Sequence, residues 1–258
     1  MFNTAVFRNR VLACEKLDGV HVESCDPSFS EIFARIGFDY LWIDTEHTTM
    51  DYMQIQNHIN ACHAMGAAAL VRAHVNDINH TKRILEMGPS GIIFPMVNTP
   101  EMAAEAMASC LYPPLGVRGF GPKGAVHFGV DDTSEYVRDA PSRLSRFIQI
   151  EHVEAIRNLP EIVKNPHIDG YIFGPCDLSG SIGKLPDYRN PENIALIREA
   201  VAILKANHKC IGLSTGDADP EEVRTWRDMG INMISAGGDF YYAVASARKF
   251  LTDLRKPK

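Results

Sequence analysis

The feature that most constrains this chain is an eightfold alternation of short β-rich runs with segments of helical composition and periodicity. The runs lie near Gly19–Val22, Tyr40–Asp44, Ala69–Arg72, Gly91–Phe94, Phe147–Glu151, Gly170–Phe173, Cys210–Leu213 and Met233–Ala236. The helical segments are Pro27–Ile36, Met50–Met65, Asn79–Met87, Pro100–Cys110, Ala155–Val163, Pro191–Asn207, Pro220–Met229 and Tyr241–Leu254. Such alternation implies a parallel sheet, and eight units close a barrel. The 258 residues match the roughly 250 that one (β/α)8 barrel needs. The expectation is one α/β domain over residues 1–258, a TIM barrel, with a doubly wound open sheet as the alternative. Gly37, Gly66, Gly88 and Gly230 follow helical segments just before the next strand, where glycine can take the left-handed conformation that ends a helix. Tyr112 to Arg143 is the one irregular stretch, rich in Gly and Pro; its length suits either a functional loop or a mobile insertion.

Charge and cysteine usage narrow the function classes. The net charge is −6 and the pI near 5.9, so no general electrostatic pull toward nucleic acid or an anionic membrane is expected. The six cysteines are widely spaced and form no CxxC cluster, which argues against a thiolate metal site or a disulfide framework. Met1 to Arg10 lacks the continuous apolar stretch of a signal peptide, and no apolar run approaches the ~20 residues of a membrane span. A cytoplasmic protein acting on small molecules is the expectation.

In a barrel, catalytic groups come from the C-terminal ends of the strands, and the unusual polar residues do gather there. Asp44, Glu46 and His47 follow the second strand, Arg72 ends the third, Glu151 ends the fifth and Asp177 follows the sixth. The two-residue period of a strand puts Gln149 and Glu151 on one face and Ile148 and Ile150 on the other. The apolar face suits the helices, so Gln149 and Glu151 point inward, where a lone carboxylate is costly. The turn Gly174–Pro175–Cys176–Asp177 can bring a second carboxylate over the barrel mouth. A hard divalent cation between the two would convert their repulsion into binding, and oxygen ligands favour Mg2+ or Mn2+. Taken singly, each acid could equally be a cap or a salt-bridge partner.

In Asp44–Thr45–Glu46–His47 a carboxylate stands close enough in sequence to orient an imidazole, the usual proton shuttle near neutral pH. Arg72 ends an apolar run and needs an anion: a substrate carboxylate or keto oxygen, or else Asp44 or Glu46. None of the ten lysines lies in a strand segment, so the desolvated amine of Schiff-base chemistry is missing.

Phe38 to His47, Phe94–Pro95–Met96–Val97, Tyr112 to Gly119 and Gly174 to Ser179 together resemble the class II pyruvate aldolases of the 4-hydroxy-2-oxoheptanedioate aldolase (HpcH/HpaI) family. The likeness runs from about Pro27 to Leu254. It implies a barrel of the phosphoenolpyruvate/pyruvate type and reversible cleavage of a 4-hydroxy-2-oxo acid to pyruvate and an aldehyde, through an enolate stabilised by a divalent cation. By this resemblance Glu151 and Asp177 are the metal ligands, with Mg2+ or Mn2+ favoured over Co2+ or Zn2+. Arg72 steadies the keto or enolate oxygen, Gln149 contacts metal and pyruvate, and His47 with Asp44 moves the proton. The amides of Gly174, Pro175–Cys176 and Asp177 hold the pyruvate carboxylate. A related lyase reaction on another 2-oxo acid or a CoA thioester is the runner-up.

The chain departs from the family pattern at Val20–His21–Val22, at Gly121 to His127 and at Leu213–Ser214–Thr215–Gly216. All three are expected to face the aldehyde, with Ser214 as a substrate contact. The resemblance further implies a homo-oligomer, a hexamer by preference, with the last helix exchanged between partners and Glu86 directed toward a neighbouring active site.

Overall fold

The computed structural model describes residues 2–256. The chain opens with a helix that the sequence pattern does not announce, α1 (Thr4–Leu12), started by the Asn3 side chain accepting from the backbone N–H groups of Ala5 and Val6. Strand and helix then alternate: β1 (Leu17–Val22), α2 (Ser28–Ile36), β2 (Tyr40–Asp44), α3 (Tyr52–Met65), β3 (Ala68–Arg72), α4 (Ile78–Glu86), β4 (Gly91–Phe94) and α5 (Pro100–Cys110). After a 310 turn at Gly124–Gly129 come α6 (Thr133–Arg143), β5 (Ser145–Ile150), α7 (Val153–Ile162), β6 (Gly170–Phe173) and α8 (Pro175–Ser181). The chain continues through α9 (Pro191–Ala206), β7 (Cys210–Thr215), α10 (Pro220–Met229), β8 (Met233–Gly238) and α11 (Asp239–Leu254). All eight strands are parallel and close in sequence order, β1 pairing with β8. The barrel is closed, and the open-sheet alternative is excluded.

The pleat sorts the side chains into two apolar layers. Outward residues such as Val20, Ile43, Val71, Ile148, Ile150 and Leu213 pack beneath the helices. Inward residues, among them Leu17, Trp42, Leu70, Phe147, Ile172 and Met233, fill the barrel. Phe7 and Val11 of α1 join this inner layer and stopper the end from which the strands start. Arg8 holds the plug in place, donating to both oxygens of Asp169 at 3.2 and 2.7 Å while Arg146 donates to the same carboxylate. With the floor sealed, the opposite rim is where a ligand can enter.

Three expectations are corrected. The stretch from Tyr112 to Arg143 is neither irregular throughout nor near the mouth. It contains α6, and it hangs from the strand-start end, because α5 ends and β5 begins there. Close packing fixes it: a β-carbon on Gly88, which lies between α4 and β4 at φ +81°, would stand 2.8 Å from the Ala125 Cα. Gly121 to His127 therefore lies at the strand-start end, away from the barrel mouth that it was expected to face. Within the same stretch Arg118 is buried, stacks over Tyr112 at 4.5 Å and donates to the Tyr136 hydroxyl at 3.1 Å, which is a packing role. Asp177, expected in a tight turn, sits in the first turn of α8.

Candidate active site

The strand-end rim of the barrel is polar where the rest of the interior is apolar. On β2 and β3 the register sets Asp44 beside Arg72, and the guanidinium forks onto the carboxylate at 3.0 and 2.5 Å. Its remaining amino group meets Glu46 at 3.0 Å. Arg72 thus has the structural pair that the sequence left open, made with both acids at once. Burial works against these charges, but the Arg72 hydrogen bonds and charge outweigh it and hold Asp44 below the ordinary carboxylate range. The indole of Trp42 lies under the guanidinium at 5.3 Å.

The expected side-chain dyad of His47 and Asp44 is not formed. Asp44 accepts from the backbone N–H groups of Glu46 and His47, while the His47 ring is exposed, with its Nε2 3.9 Å from a Glu46 oxygen. Asp44 faces inward at the end of its strand and is claimed by Arg72. The carboxylate beside the imidazole is Glu46, which burial pushes upward in pKa against the charges of Arg72 and His47.

Glu151 follows β5 directly and is 4% exposed. Its Oε1 accepts from the Gln149 amide at 2.6 Å and its Oε2 from the Met96 N–H at 3.1 Å. Burial raises its pKa to about 8 against the pull of the Met96 amide and Arg72, with the charges of Asp177 and Glu46 adding to the rise. Gly174 makes room for it, since any β-carbon there would stand 2.4 Å from Oε1. Beyond Gly174, Pro175 opens α8, and Cys176 and Asp177 are exposed at its first turn. The Gln149 Oε1 is buried without a partner.

These residues suit a divalent cation in one particular way. Among the described residues no cluster of three or more His, Cys, Asp or Glu side chains forms a closed cage. Two carboxylates, Glu151 and Asp177, match the sparse protein donation that Mg2+ accepts when water and substrate oxygens complete its shell. A positive charge beside Glu151 would also offset the burial that disfavours its ionised form.

On the remaining arc, Ser214 of β7 shares the inward alignment of Cys210 and Gly212. It meets His21 of β1 across the mouth at 2.9 Å. His21 was singled out in the sequence only as a departure from a family pattern. Met96 went unnoticed as a partner of Glu151 because it contributes only a backbone N–H; the sole signal was the motif Phe94–Pro95–Met96–Val97. Glu86 lies at the end of α4 beside Gly121, toward the barrel floor.

Residues 18–245 match the family model described as HpcH/HpaI aldolase/citrate lyase. The chain is 30% identical over 250 residues to a hydroxypyruvate/pyruvate aldolase of Cupriavidus necator, covering 97% of this chain and 92% of that one. It is 30% identical over 210 residues to a 4-hydroxy-2-oxo-heptane-1,7-dioate aldolase of Escherichia coli, covering 81% and 79%. The solved structure of an HpcH/HpaI aldolase/citrate lyase family protein from Burkholderia cenocepacia aligns with a TM-score of 0.92 at 26% identity. That alignment spans 98% of this chain and 100% of the other.

Proposed function

The chain belongs to the HpcH/HpaI aldolase/citrate lyase family, and from that premise we propose that it is a cytoplasmic, divalent-metal-dependent class II pyruvate aldolase. Its reaction is the reversible cleavage of a 4-hydroxy-2-oxo acid to pyruvate and an aldehyde. The observation that carries this reading is Glu151, an almost fully buried carboxyl at the barrel mouth whose pKa is pushed to about 8. The Asp177 charge and the unpartnered Gln149 oxygen stand on the same rim.

Glu151 and Asp177 would hold Mg2+ or Mn2+, which supplies a Lewis acid for the negative charge that develops on a keto oxygen. The chain's own groups do the rest. Arg72 has two N–H groups beyond those given to Asp44 and Glu46, and it donates to that oxygen. Gln149 donates to Glu151 and keeps it in place, and its free carbonyl oxygen, which can only accept, would face the cation rather than the oxygens of the 2-oxo acid. The backbone N–H groups of Cys176 and Asp177, at the start of α8 after Gly174 and Pro175, bind the substrate carboxylate. His47, exposed at the rim beside Glu46, moves the proton to and from solvent; Asp44 acts by fixing Arg72. No strand carries a lysine, which agrees with a route that does not pass through an imine.

The reading extends to assembly. From Phe240 to Leu254 every side chain of α11 is exposed, Phe240, Val244, Phe250 and Leu254 among them. An unpartnered apolar helix face of this length supports packing against a second copy, and a homohexamer is the form proposed.

The test is retro-aldol release of pyruvate from 4-hydroxy-2-oxo acids, followed by coupled reduction to lactate. Activity is expected to vanish on exhaustive chelation and to return with Mg2+ or Mn2+; no pyruvate from any such acid with metal present would overturn the proposal.

A further inference from the structure

The mouth of the barrel divides into two arcs. Strands β2 to β6 carry the groups assigned above to the 2-oxo acid and the cation. Strands β7, β8 and β1 carry none of them, so this second arc faces the other reactant.

Its polar centre is a short relay. His21 Nδ1 lies 2.9 Å from the Gly237 carbonyl and Nε2 lies 2.9 Å from the Ser214 Oγ. A carbonyl can only accept, so Nδ1 carries the proton. His21 is buried and tilted against Trp42 at 5.3 Å, and burial holds its ring neutral at neutral pH. Nε2 is then a bare lone pair, and the Ser214 hydroxyl must donate to it. The serine proton is spent, and the two lone pairs of a half-buried Oγ remain. Ser214 thus becomes an acceptor only.

Acids outnumber bases on this arc. Residues 21–27, 214–219 and 233–239 contain Glu23, Asp217 and Asp239 among other acids and no Lys or Arg, while Arg189, from outside these segments, reaches Asp217 at 3.5 Å. An anionic reactant meets an excess of acids here, whereas a hydroxyl finds an acceptor.

We infer that the β7–β8–β1 arc selects a neutral, hydroxylated aldehyde, with Ser214 accepting the substrate hydroxyl and His21 as the positioning residue that fixes the serine proton. The inference rests on the aldolase reading and deepens it by naming the class of aldehyde.

The test uses the full-length enzyme with Mg2+, pyruvate and three aldehydes: glycolaldehyde, propanal, in which a methyl replaces the hydroxyl, and succinic semialdehyde, which carries a carboxylate. Glycolaldehyde is expected to exceed propanal by about tenfold or more in kcat/KM, the scale of one hydrogen bond lost to an apolar isostere, and to exceed succinic semialdehyde as well. Ser214→Ala should bring the glycolaldehyde-to-propanal ratio to within about threefold of unity, and His21→Phe, which leaves the serine oxygen but frees its proton, should lower the ratio by a smaller factor. A merely structural role for His21 would lower both rates and leave the ratio in place. Preference of the wild type for propanal or succinic semialdehyde overturns the inference, and so does a ratio that persists in both variants. Deuterium exchange of the pyruvate methyl group separates the two levels: exchange without hydroxyl preference removes this inference alone, and no exchange removes the aldolase reading together with it.

Discussion

Glu151 Oε1 lies 2.4 Å from the point where a β-carbon at position 174 would stand. Two elements, the end of β5 and the start of α8, are therefore packed so tightly at the mouth that only glycine fits between the carboxylate and the next strand. The same closeness brings the charge of Asp177, three residues on, to bear on Glu151.

Gly174→Ala should displace the Glu151 carboxylate without unfolding the barrel. Loss of ligand orientation of this kind costs about ten- to a hundredfold in metal affinity. Mn2+ binding followed by electron paramagnetic resonance, with circular dichroism as the control for folding, checks this. Unchanged affinity in a folded variant would mean that Glu151 is not a ligand.

The fork from Arg72 to Asp44 is almost fully buried, and cutting it leaves the guanidinium with Glu46 alone. Asp44→Asn should lower stability by about 2–3 kcal/mol, the cost of weakened buried hydrogen bonds to a charged group rather than of a stranded charge. Arg72→Lys should keep the charge, lose the planar fork, and depress kcat more than KM if the guanidinium acts on charge that develops in the transition state. Urea denaturation and steady-state kinetics provide the two readouts. A KM effect with kcat intact would assign Arg72 to ground-state binding.

Protons should accompany metal binding. The Glu151 carboxyl is raised to about 8 in the folded chain by burial, against about 4.3 when unfolded. Between those values the folded state holds more proton than the unfolded one, so this group's contribution to metal-free stability declines as pH rises through that window. A cation must displace the proton. Calorimetry of Mn2+ binding in buffers of different ionisation enthalpy should show up to about one proton released near pH 6.5, falling toward zero above about pH 8. Binding that releases no proton at either pH would place the cation away from Glu151.

At the floor, Arg8→Ala should loosen α1 while leaving Asp169 with Arg146. A cost of about 1–2 kcal/mol in urea denaturation is expected, below that of stripping the acid of both partners. The rim is at the other end of the barrel, so kcat of the folded variant should stay within about twofold of the wild type. A large fall in kcat would couple the plug to the site.

The barrel was legible because its information is local: apolar runs of the right length, helical periodicity between them, and Gly37, Gly66 and Gly230 all left-handed at helix ends. Glu151 and Gln149 were legible through the two-residue period of one strand. What was not legible depends on contacts between strands. Asp44 stands nearer His47 in sequence than Arg72, yet the register of β2 against β3 delivers it to Arg72. The α1 plug is short and mixes Arg8, Asn9 and Arg10 with its apolar residues; only the barrel floor gives Phe7 and Val11 a place to go. The stretch from Tyr112 to Arg143 was misplaced although its position between α5 and β5 already puts it at the strand-start end; only the packing of Ala125 against Gly88, which fixes how it lies there, was beyond its own sequence.

The central claim is that this barrel enolises a 2-oxo acid through a cation held at Glu151 and Asp177. Proton magnetic resonance of pyruvate in deuterium oxide tests it without any assumption about the aldehyde. The methyl signal should decay with enzyme and Mg2+ or Mn2+, persist after exhaustive chelation, decay again on adding metal back, and persist with folded Glu151→Gln. Full exchange by the chelated enzyme, or by that variant, would contradict the account.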